Sequence, residues 1–149
     1  DVCGGTLKPV LDALVLAKES GVWLEVTNLV IPTLNDDPLE MEAMARWMVD
    51  NLGAQTPLHL SRFSPRYRLK NLPPTPEETL SKLAKVAFEQ GLHHVYVGNV
   101  FGSDRQATRC PSCGREVVQR RGYRILIQEL EKTEGRCPTC QTDVEGVWR

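Results

Sequence analysis

Four cysteines near the end of the chain have the residue type and the spacing of a metal site. They form two C-x-x-C pairs, Cys110-Pro-Ser-Cys113 and Cys137-Pro-Thr-Cys140. Each short turn offers two thiolates on the same side, and tetrahedral coordination needs four soft ligands around one point. Four thiolates leave no open position, so a zinc ion here would hold structure and do no chemistry. Zinc is the favoured occupant; rubredoxin-like iron, an auxiliary iron–sulfur cluster and two redox disulfides are the alternatives.

The segments around these cysteines predict a small module over residues 109–149. Gly114 follows the first pair and supplies the left-handed residue that such a turn favours, whereas Gln141 stands at the matching place after the second pair. The spacer from Val117 to Leu130 predicts a hairpin that brings the two turns together. We therefore expect a four-cysteine module of the zinc-ribbon or rubredoxin-like type, stabilised largely by its metal.

Composition limits the classes of protein that this chain can represent. It has 149 residues, 41% of them apolar and 25% charged, with a net charge of −1. These values indicate a globular protein without a membrane span, and the net charge disfavours broad nucleic-acid binding. Paired C-x-x-C units without a secretory signal predict a reducing compartment, the cytoplasm.

The first hundred residues repeat one order of elements three times: helix, glycine, strand, with the glycines at positions 21, 53 and 91. This order predicts parallel strands of an α/β fold. The run Val22–Ile31 is apolar enough to predict a strand that is buried on both faces. The loop 32–36 after it is either part of a ligand edge or a turn that leads into the next helix. Asp37 predicts the cap of the second helix, with Pro38 at its first position. Thr75-Pro-Glu-Glu78 predicts a capping box at the start of the third helix.

Three parallel strands cannot close a barrel or cover both faces of a sheet. We therefore expect residues 1–100 to be the C-terminal βα units of a larger protein, with residues 101–108 as a polar linker to the cysteine module. Just past the second strand, Arg62, Arg66, Arg68 and Lys70 form a basic cluster. The cluster either holds a carboxylate or phosphate or is a solvated loop. The arginines at 115, 120, 121 and 124 make the hairpin basic. This surface either contacts a nucleic acid or an acidic partner or is an ordinary exposed face, and the single aromatic residue beside it, Tyr123, favours the exposed face.

Several stretches, in order, resemble one known family. Residues 21–36, 58–69, 72–80 and 95–100, with the cysteine module, its Arg-Arg-Gly-Tyr at 120–123 and the terminal Gly-Val-Trp at 146–148, are similar to the C-terminal half of the AmmeMemoRadiSam-system radical SAM enzymes. Those enzymes are relatives of the pyruvate formate-lyase activating enzymes. The resemblance covers nearly the whole chain. It departs at the linker, residues 101–104, and at Ser64, where many members have a bulkier residue.

The resemblance implies a partial (β/α) barrel with a [4Fe-4S] cluster on a C-x-x-x-C-x-x-C loop. No such triplet occurs in this sequence, so the cluster ligands are expected upstream of Asp1, and this piece alone is expected to be inactive. Carried over by position, Leu29, Ser61 and Ser64 would face the adenine and ribose of S-adenosylmethionine. The implied chemistry is reductive cleavage of S-adenosylmethionine to a 5′-deoxyadenosyl radical that abstracts a substrate hydrogen.

The family's naming also implies companion proteins of the Memo-like and AMMECR-like kinds, and its relatives imply activation of a protein partner. A different class of function remains open beside this one. In that alternative the chain is a non-enzymatic α/β scaffold whose zinc ribbon binds a protein or a nucleic acid. The two hypotheses differ in whether the complete gene encodes a cysteine triplet ahead of Asp1.

Overall fold

The computed structural model describes residues 4–100, 106–121 and 124–148. The first part of the chain alternates helices and strands, and the second part is a small antiparallel sheet. Part of the predicted linker, residues 101–105, lies outside the described residues. The elements, in order, are α1 (Leu7–Glu19), β1 (Val26–Val30), α2 (Pro38–Leu52), β2 (Leu58–Arg62), α3 (Glu77–Glu89), β3 (Val95–Gly98), β4 (Thr108–Arg109), β5 (Glu116–Arg121), β6 (Arg124–Gln128) and a 3-10 turn (Glu131–Thr133).

The first three strands form a parallel sheet in the order β1-β2-β3, which confirms the α/β prediction. The pairing places Leu29 opposite Ser61, and Ser61 opposite Gly98. Helix α1 contacts α2, and α2 contacts α3. The helices and the inward side chains of the strands enclose one core that includes Val30, Met48 and Leu83.

The first strand is buried on one face only, so the prediction of burial on both faces is wrong. Val30 is completely buried, whereas Leu29 is 44% exposed. The strand is also shorter than the apolar run, because it begins at Val26. The physical reason is that the helices pack on one side of the sheet, and in the described residues no layer covers the other side at Leu29. We call the side of the sheet that carries Thr27 and Leu29 the open face.

Helix starts follow two different patterns. Asp37 caps α2 as expected, because its side chain accepts a hydrogen bond from the backbone N–H of Leu39 at 2.8 Å. The capping box predicted at Thr75 does not form, since α3 begins at Glu77 and Pro76 precedes it. Thr75 is instead completely buried and joins two strand ends: its hydroxyl donates to the Val30 carbonyl at 2.6 Å and accepts from the Phe63 N–H at 3.0 Å.

The loop after β1 is a turn held by its own side chains. Asn35 accepts a hydrogen bond from the Ile31 N–H at 2.7 Å and donates to the Leu29 carbonyl at 3.0 Å. Asp36 accepts from the Thr33 N–H at 2.8 Å. These bonds satisfy backbone groups where the strand ends, and the loop leads directly into α2.

The second sheet, β4-β5-β6, is antiparallel, and β5 and β6 form the predicted hairpin. Its core is small and separate from that of the α/β body, with Val117, Val118 and Leu130 completely buried and Trp148 packed against them. A shift of register interrupts the pairing of β5 with β6 between Gln119 and Arg120. Among the described residues, no helix combines the length and the apolar content that crossing a membrane requires.

Candidate functional site

The structure brings the four predicted ligands, Cys110, Cys113, Cys137 and Cys140, to one point. The Sγ atoms of Cys110 and Cys140 are 3.5 Å apart, those of Cys113 and Cys137 are 3.6 Å apart, and all four lie within 4.8 Å of one another. A tetrahedral zinc site with bonds of about 2.3 Å has sulfur–sulfur separations of roughly 3.8 Å. A disulfide needs about 2.05 Å, and the four cysteines are free. The four thiol groups are therefore positioned to bind one metal ion.

The two cysteine turns have the same backbone geometry, although their sequences differ. In the first, the Gly114 N–H donates to the Cys110 carbonyl at 2.9 Å; in the second, the Gln141 N–H donates to the Cys137 carbonyl at 2.9 Å. Both residues that close the turns are left-handed, with φ of 73° at Gly114 and 60° at Gln141. Gln141, which stands where the first turn has glycine, therefore adopts the same left-handed backbone conformation. This conformation favours glycine, so the side chain of Gln141 adds some strain.

The environment of the cysteines gives them unequal proton affinities. The side-chain hydrogen bond with Thr142 is the main cause that lowers the pKa of Cys140 to about 6. The pKa of Cys113 is raised to about 12: the backbone hydrogen bond from Arg115 lowers it, but burial and the three neighbouring sulfurs together outweigh that bond. Because a metal binds thiolates, its binding must displace the proton of Cys113, and metal affinity rises with pH.

Arg115 ties the two halves of the metal centre together. Its guanidinium donates to both carboxylate oxygens of Glu129, at 3.1 and 2.9 Å, and to the Thr139 hydroxyl in the second turn at 2.9 Å. Arg115 follows the first cysteine turn, and its guanidinium binds a residue of the second turn, so it helps to hold the two turns close together. The prediction that Arg115 belongs to an ordinary exposed face is therefore incomplete, because this residue has a structural role.

A histidine pair links the α/β body to the cysteine module. Glu145, from the module, lies with one carboxylate oxygen 3.2 Å from His94 Nε2 and the other 3.5 Å from His93 Nδ1. His94 is buried and stacks on Tyr96, whose hydroxyl is 3.0 Å from the Thr108 hydroxyl. Burial lowers the pKa of His94 below its ordinary value of 6.5, and the hydrogen bond with Glu145 opposes that shift.

Sequence reasoning missed Glu145, because the partners are distant in the chain and share no motif. A cavity of about 630 Å³ lies at the same joint, lined by His93 and His94 from the body and by Cys110 and Pro111 from the module. The four-cysteine cluster therefore adjoins the α/β body at this joint, and the tail after the second cysteine turn contributes the linking carboxylate.

The open face of the parallel sheet brings two of the three residues implied for S-adenosylmethionine together. Leu29 and Ser61 are register partners, and Gly98 is the next partner in the same row. A Cβ atom at Gly98 would lie 3.6 Å from Ser61 Oγ, so this end of the row carries no side-chain bulk. Ser64 follows the end of β2 and is exposed, outside the paired row.

A second row of the open face contains a histidine–carboxylate pair that the sequence did not reveal. His59 Nε2 lies 2.7 Å from Glu25 Oε2, and the other oxygen of Glu25 accepts a hydrogen bond from Trp23 Nε1 at 2.8 Å. The His59 ring stacks on Tyr96 with centroids 5.1 Å apart. Burial acts to raise the pKa of Glu25, but the hydrogen bonds from Trp23 and His59 leave it below its ordinary value of 4.5. A carboxylate fixed in this way orients the imidazole.

Comparison with known proteins shows that the chain is similar to part of a longer protein. No family model matches the chain. The chain is 42% identical, over 146 residues and 98% of its length, to an uncharacterized protein of Methanocaldococcus jannaschii. The match spans 44% of that relative, so the relative has more than twice the matched length.

Proposed function

We propose that the chain is the C-terminal part of a radical SAM enzyme similar to the AmmeMemoRadiSam-system proteins, with a zinc-type metal centre in its tail. The observation that carries the proposal is the open face of the sheet. Parallel sheets are normally covered on both faces. In the described residues the helices cover one face, and the other presents a row of small or apolar groups at Leu29, Ser61 and Gly98. Such a face suits the inner wall of a barrel that is completed by further polypeptide.

The residues of this face fit the nucleoside part of S-adenosylmethionine. Leu29 offers an exposed apolar side chain on which a base can pack, and Ser61 offers a hydroxyl that can hydrogen-bond a ribose. Gly98 leaves room beside that hydroxyl. The catalytic cluster, by contrast, has no ligand set here, because the sequence contains no C-x-x-x-C-x-x-C. When bound, that cluster would supply the electron that cleaves S-adenosylmethionine to a 5′-deoxyadenosyl radical.

In this proposal the chain's own residues bind and shield the cofactor. Leu29 and Ser61 hold the nucleoside at the carboxyl ends of β1 and β2, where α/β proteins bind their ligands. The hydrogen-bonded pair of His59 and Glu25 lies on the same face, with His59 two residues before Ser61 on β2. It offers an imidazole for hydrogen bonding or proton transfer. The four-cysteine centre stabilises the tail that contacts the body through Glu145.

The test uses the complete gene product that contains this chain, purified anaerobically and reconstituted with iron and sulfide. We expect a cysteine triplet upstream of Asp1 and formation of 5′-deoxyadenosine from S-adenosylmethionine after reduction. Ser61→Ala should weaken S-adenosylmethionine binding, measured by calorimetry, whereas the control Ser81→Ala on α3 should not. A gene without the triplet, or a reconstituted protein that forms no 5′-deoxyadenosine, would rule out the proposal.

One surface favours the second hypothesis, a scaffold that binds another macromolecule through its zinc ribbon. Strand β6 exposes Ile125 by 59% and Leu126 by 54%, next to Arg120 and Arg124 of the hairpin. This hypothesis predicts that a gene product without a catalytic cluster still retains a macromolecular ligand through the hairpin. Pull-down experiments with Ile125→Ser and Arg124→Gln variants, compared with the wild-type protein, would test it.

A further inference from the structure

The loop 63–76 between β2 and α3 is a long, basic segment with fixed ends. It contains Arg66, Arg68 and Lys70 and no acidic residue, in a chain whose net charge is −1. Connections of this length without secondary structure are uncommon in compact domains and are often functional. The loop follows the carboxyl end of β2, the edge of a parallel sheet where ligands bind.

The base of the loop is rigid because buried hydrogen bonds hold both ends. Thr75 binds the ends of β1 and β2 through its hydroxyl, and its backbone N–H donates to the Phe63 carbonyl at 3.2 Å. The Arg62 guanidinium donates to the Thr75 carbonyl at 2.8 Å. This contact occupies Arg62, so the basic groups available to a partner are those farther along the loop.

The tip of the loop is a tight turn, Arg66–Leu69, closed by a hydrogen bond of 3.0 Å from the Leu69 N–H to the Arg66 carbonyl. We call these four residues the basic turn. Tyr67 occupies its second position with φ of 48°, a left-handed conformation that glycine, asparagine or aspartate normally supplies. Its side chain is 78% exposed, so no packing compensates for the strain. Strained residues of this kind concentrate at functional sites.

The charged groups of the basic turn form no ion pair within the described part of the chain. The Arg68 guanidinium lies 5.2 Å from the centre of the Tyr67 ring, which presents the two side chains together. Among the residues that the structure describes, Arg66, Arg68 and the adjacent Lys70 lack a carboxylate partner, whereas Arg46 and Arg115 each pair with a glutamate. Arginines of this kind beside an exposed tyrosine are the residue types that dominate the binding energy of protein interfaces.

We propose that the basic turn binds the carboxylate groups of an acidic segment of a partner protein. Arginine binds carboxylates through two parallel hydrogen bonds, and the exposed Tyr67 ring adds apolar contact area. The charged groups are exposed at the tip of the loop, which favours a macromolecular surface over a small anion. A single aromatic residue and a short basic track do not provide the extended path that a nucleic-acid backbone needs. The proposal does not depend on radical chemistry.

Fluorescence anisotropy with a labelled oligoglutamate peptide tests the proposal on the 149-residue chain, at low and at near-physiological salt. The double variant Arg66→Gln/Arg68→Gln should weaken binding about tenfold or more, since it removes two charge-assisted contacts. The double variant Lys82→Gln/Lys85→Gln removes the same charge from the exposed side of α3 and should leave affinity within about twofold. Equal losses in both double variants, or no loss in either, would overturn the proposal.

Replacement of Tyr67 provides an independent readout. Relief of backbone strain should increase stability, whereas loss of the ring should decrease affinity for the peptide. Tyr67→Gly should raise the midpoint of thermal unfolding, since glycine accepts the left-handed conformation, and should weaken peptide binding. A Tyr67→Gly variant that binds like the wild type would contradict a role for the ring. Failure of the wild-type chain to bind oligoglutamate, or tighter binding of a labelled oligonucleotide through the same arginines, would overturn the choice of partner.

Discussion

Loss of the metal should unfold the cysteine module and leave the α/β body folded. The change that tests this is Cys137→Ser, which removes one of the two buried ligands of the metal centre. Serine oxygen is a poor substitute for a thiolate, so the site loses both a ligand and a negative charge. Cys3→Ser is the matched control, because Cys3 belongs to neither C-x-x-C pair.

The expected size of the effect follows from the two cores. The module buries only four aliphatic side chains, Val117, Val118, Leu130 and Val144, among its described residues. At about 1.5–3 kcal/mol each, their burial contributes roughly 6–12 kcal/mol before any ordering cost. A structural zinc site contributes about 10–16 kcal/mol, as much as the whole net stability of a typical domain. We therefore expect the module to unfold when a metal is absent from the four-cysteine site, whereas the body, which has a separate core, should stay folded.

Hydrogen exchange followed by mass spectrometry measures both parts at once. In Cys137→Ser, or after chelation, amides of the module such as Glu129, which donates to the Val117 carbonyl, should exchange at nearly unfolded rates. The Leu58 amide, which donates to the His94 carbonyl in the body, should keep most of its protection. Native mass spectrometry should find one metal ion per wild-type chain. A wild-type protein that contains no metal, titrates four free thiols in the module and still protects its amides would refute the reasoning.

Three further predictions concern the body and the joint. Thr75→Val should lower the free energy of unfolding in urea by roughly 2–5 kcal/mol, because it leaves two buried backbone groups without a partner. Thr75→Ser keeps the hydroxyl and should lower it by about 1 kcal/mol. Equal losses in the two variants would contradict the role of the hydroxyl. Because burial lowers the pKa of His94 in the folded state, the unfolded chain binds the extra proton, so stability should fall as pH decreases from about 6.5 through the folded pKa. Melting midpoints measured against pH should show this loss, and His94→Asn should reduce it. A His94→Asn variant with the same pH dependence as the wild type would contradict the assignment of the loss to His94. In the 149-residue chain, Leu29→Ser should change the unfolding free energy by less than about 1 kcal/mol, whereas Leu60→Ala should cost about 2–5 kcal/mol; a large effect at Leu29 would contradict the open face.

Local sequence was sufficient wherever neighbouring residues decide the structure. The C-x-x-C pairs predicted both cysteine turns, since a short stretch of chain fixes where two thiols point. Asp37 before Pro38 predicted the start of α2, and its side chain does cap that helix. The order of helix, glycine and strand predicted the parallel sheet, because hydrophobic periodicity and chain breaks are local signals.

Only the tertiary structure decided which partners distant residues find. Thr75 has the sequence of a helix cap, but its hydroxyl binds the ends of two strands, whose backbone groups would otherwise be buried without partners. Glu145 and His94, 51 residues apart, and Glu25 and His59, 34 residues apart, meet because the sheet and the module bring them together. Apolar content showed that β1 is a strand, but whether Leu29 is covered depends on the side of the sheet where the helices pack.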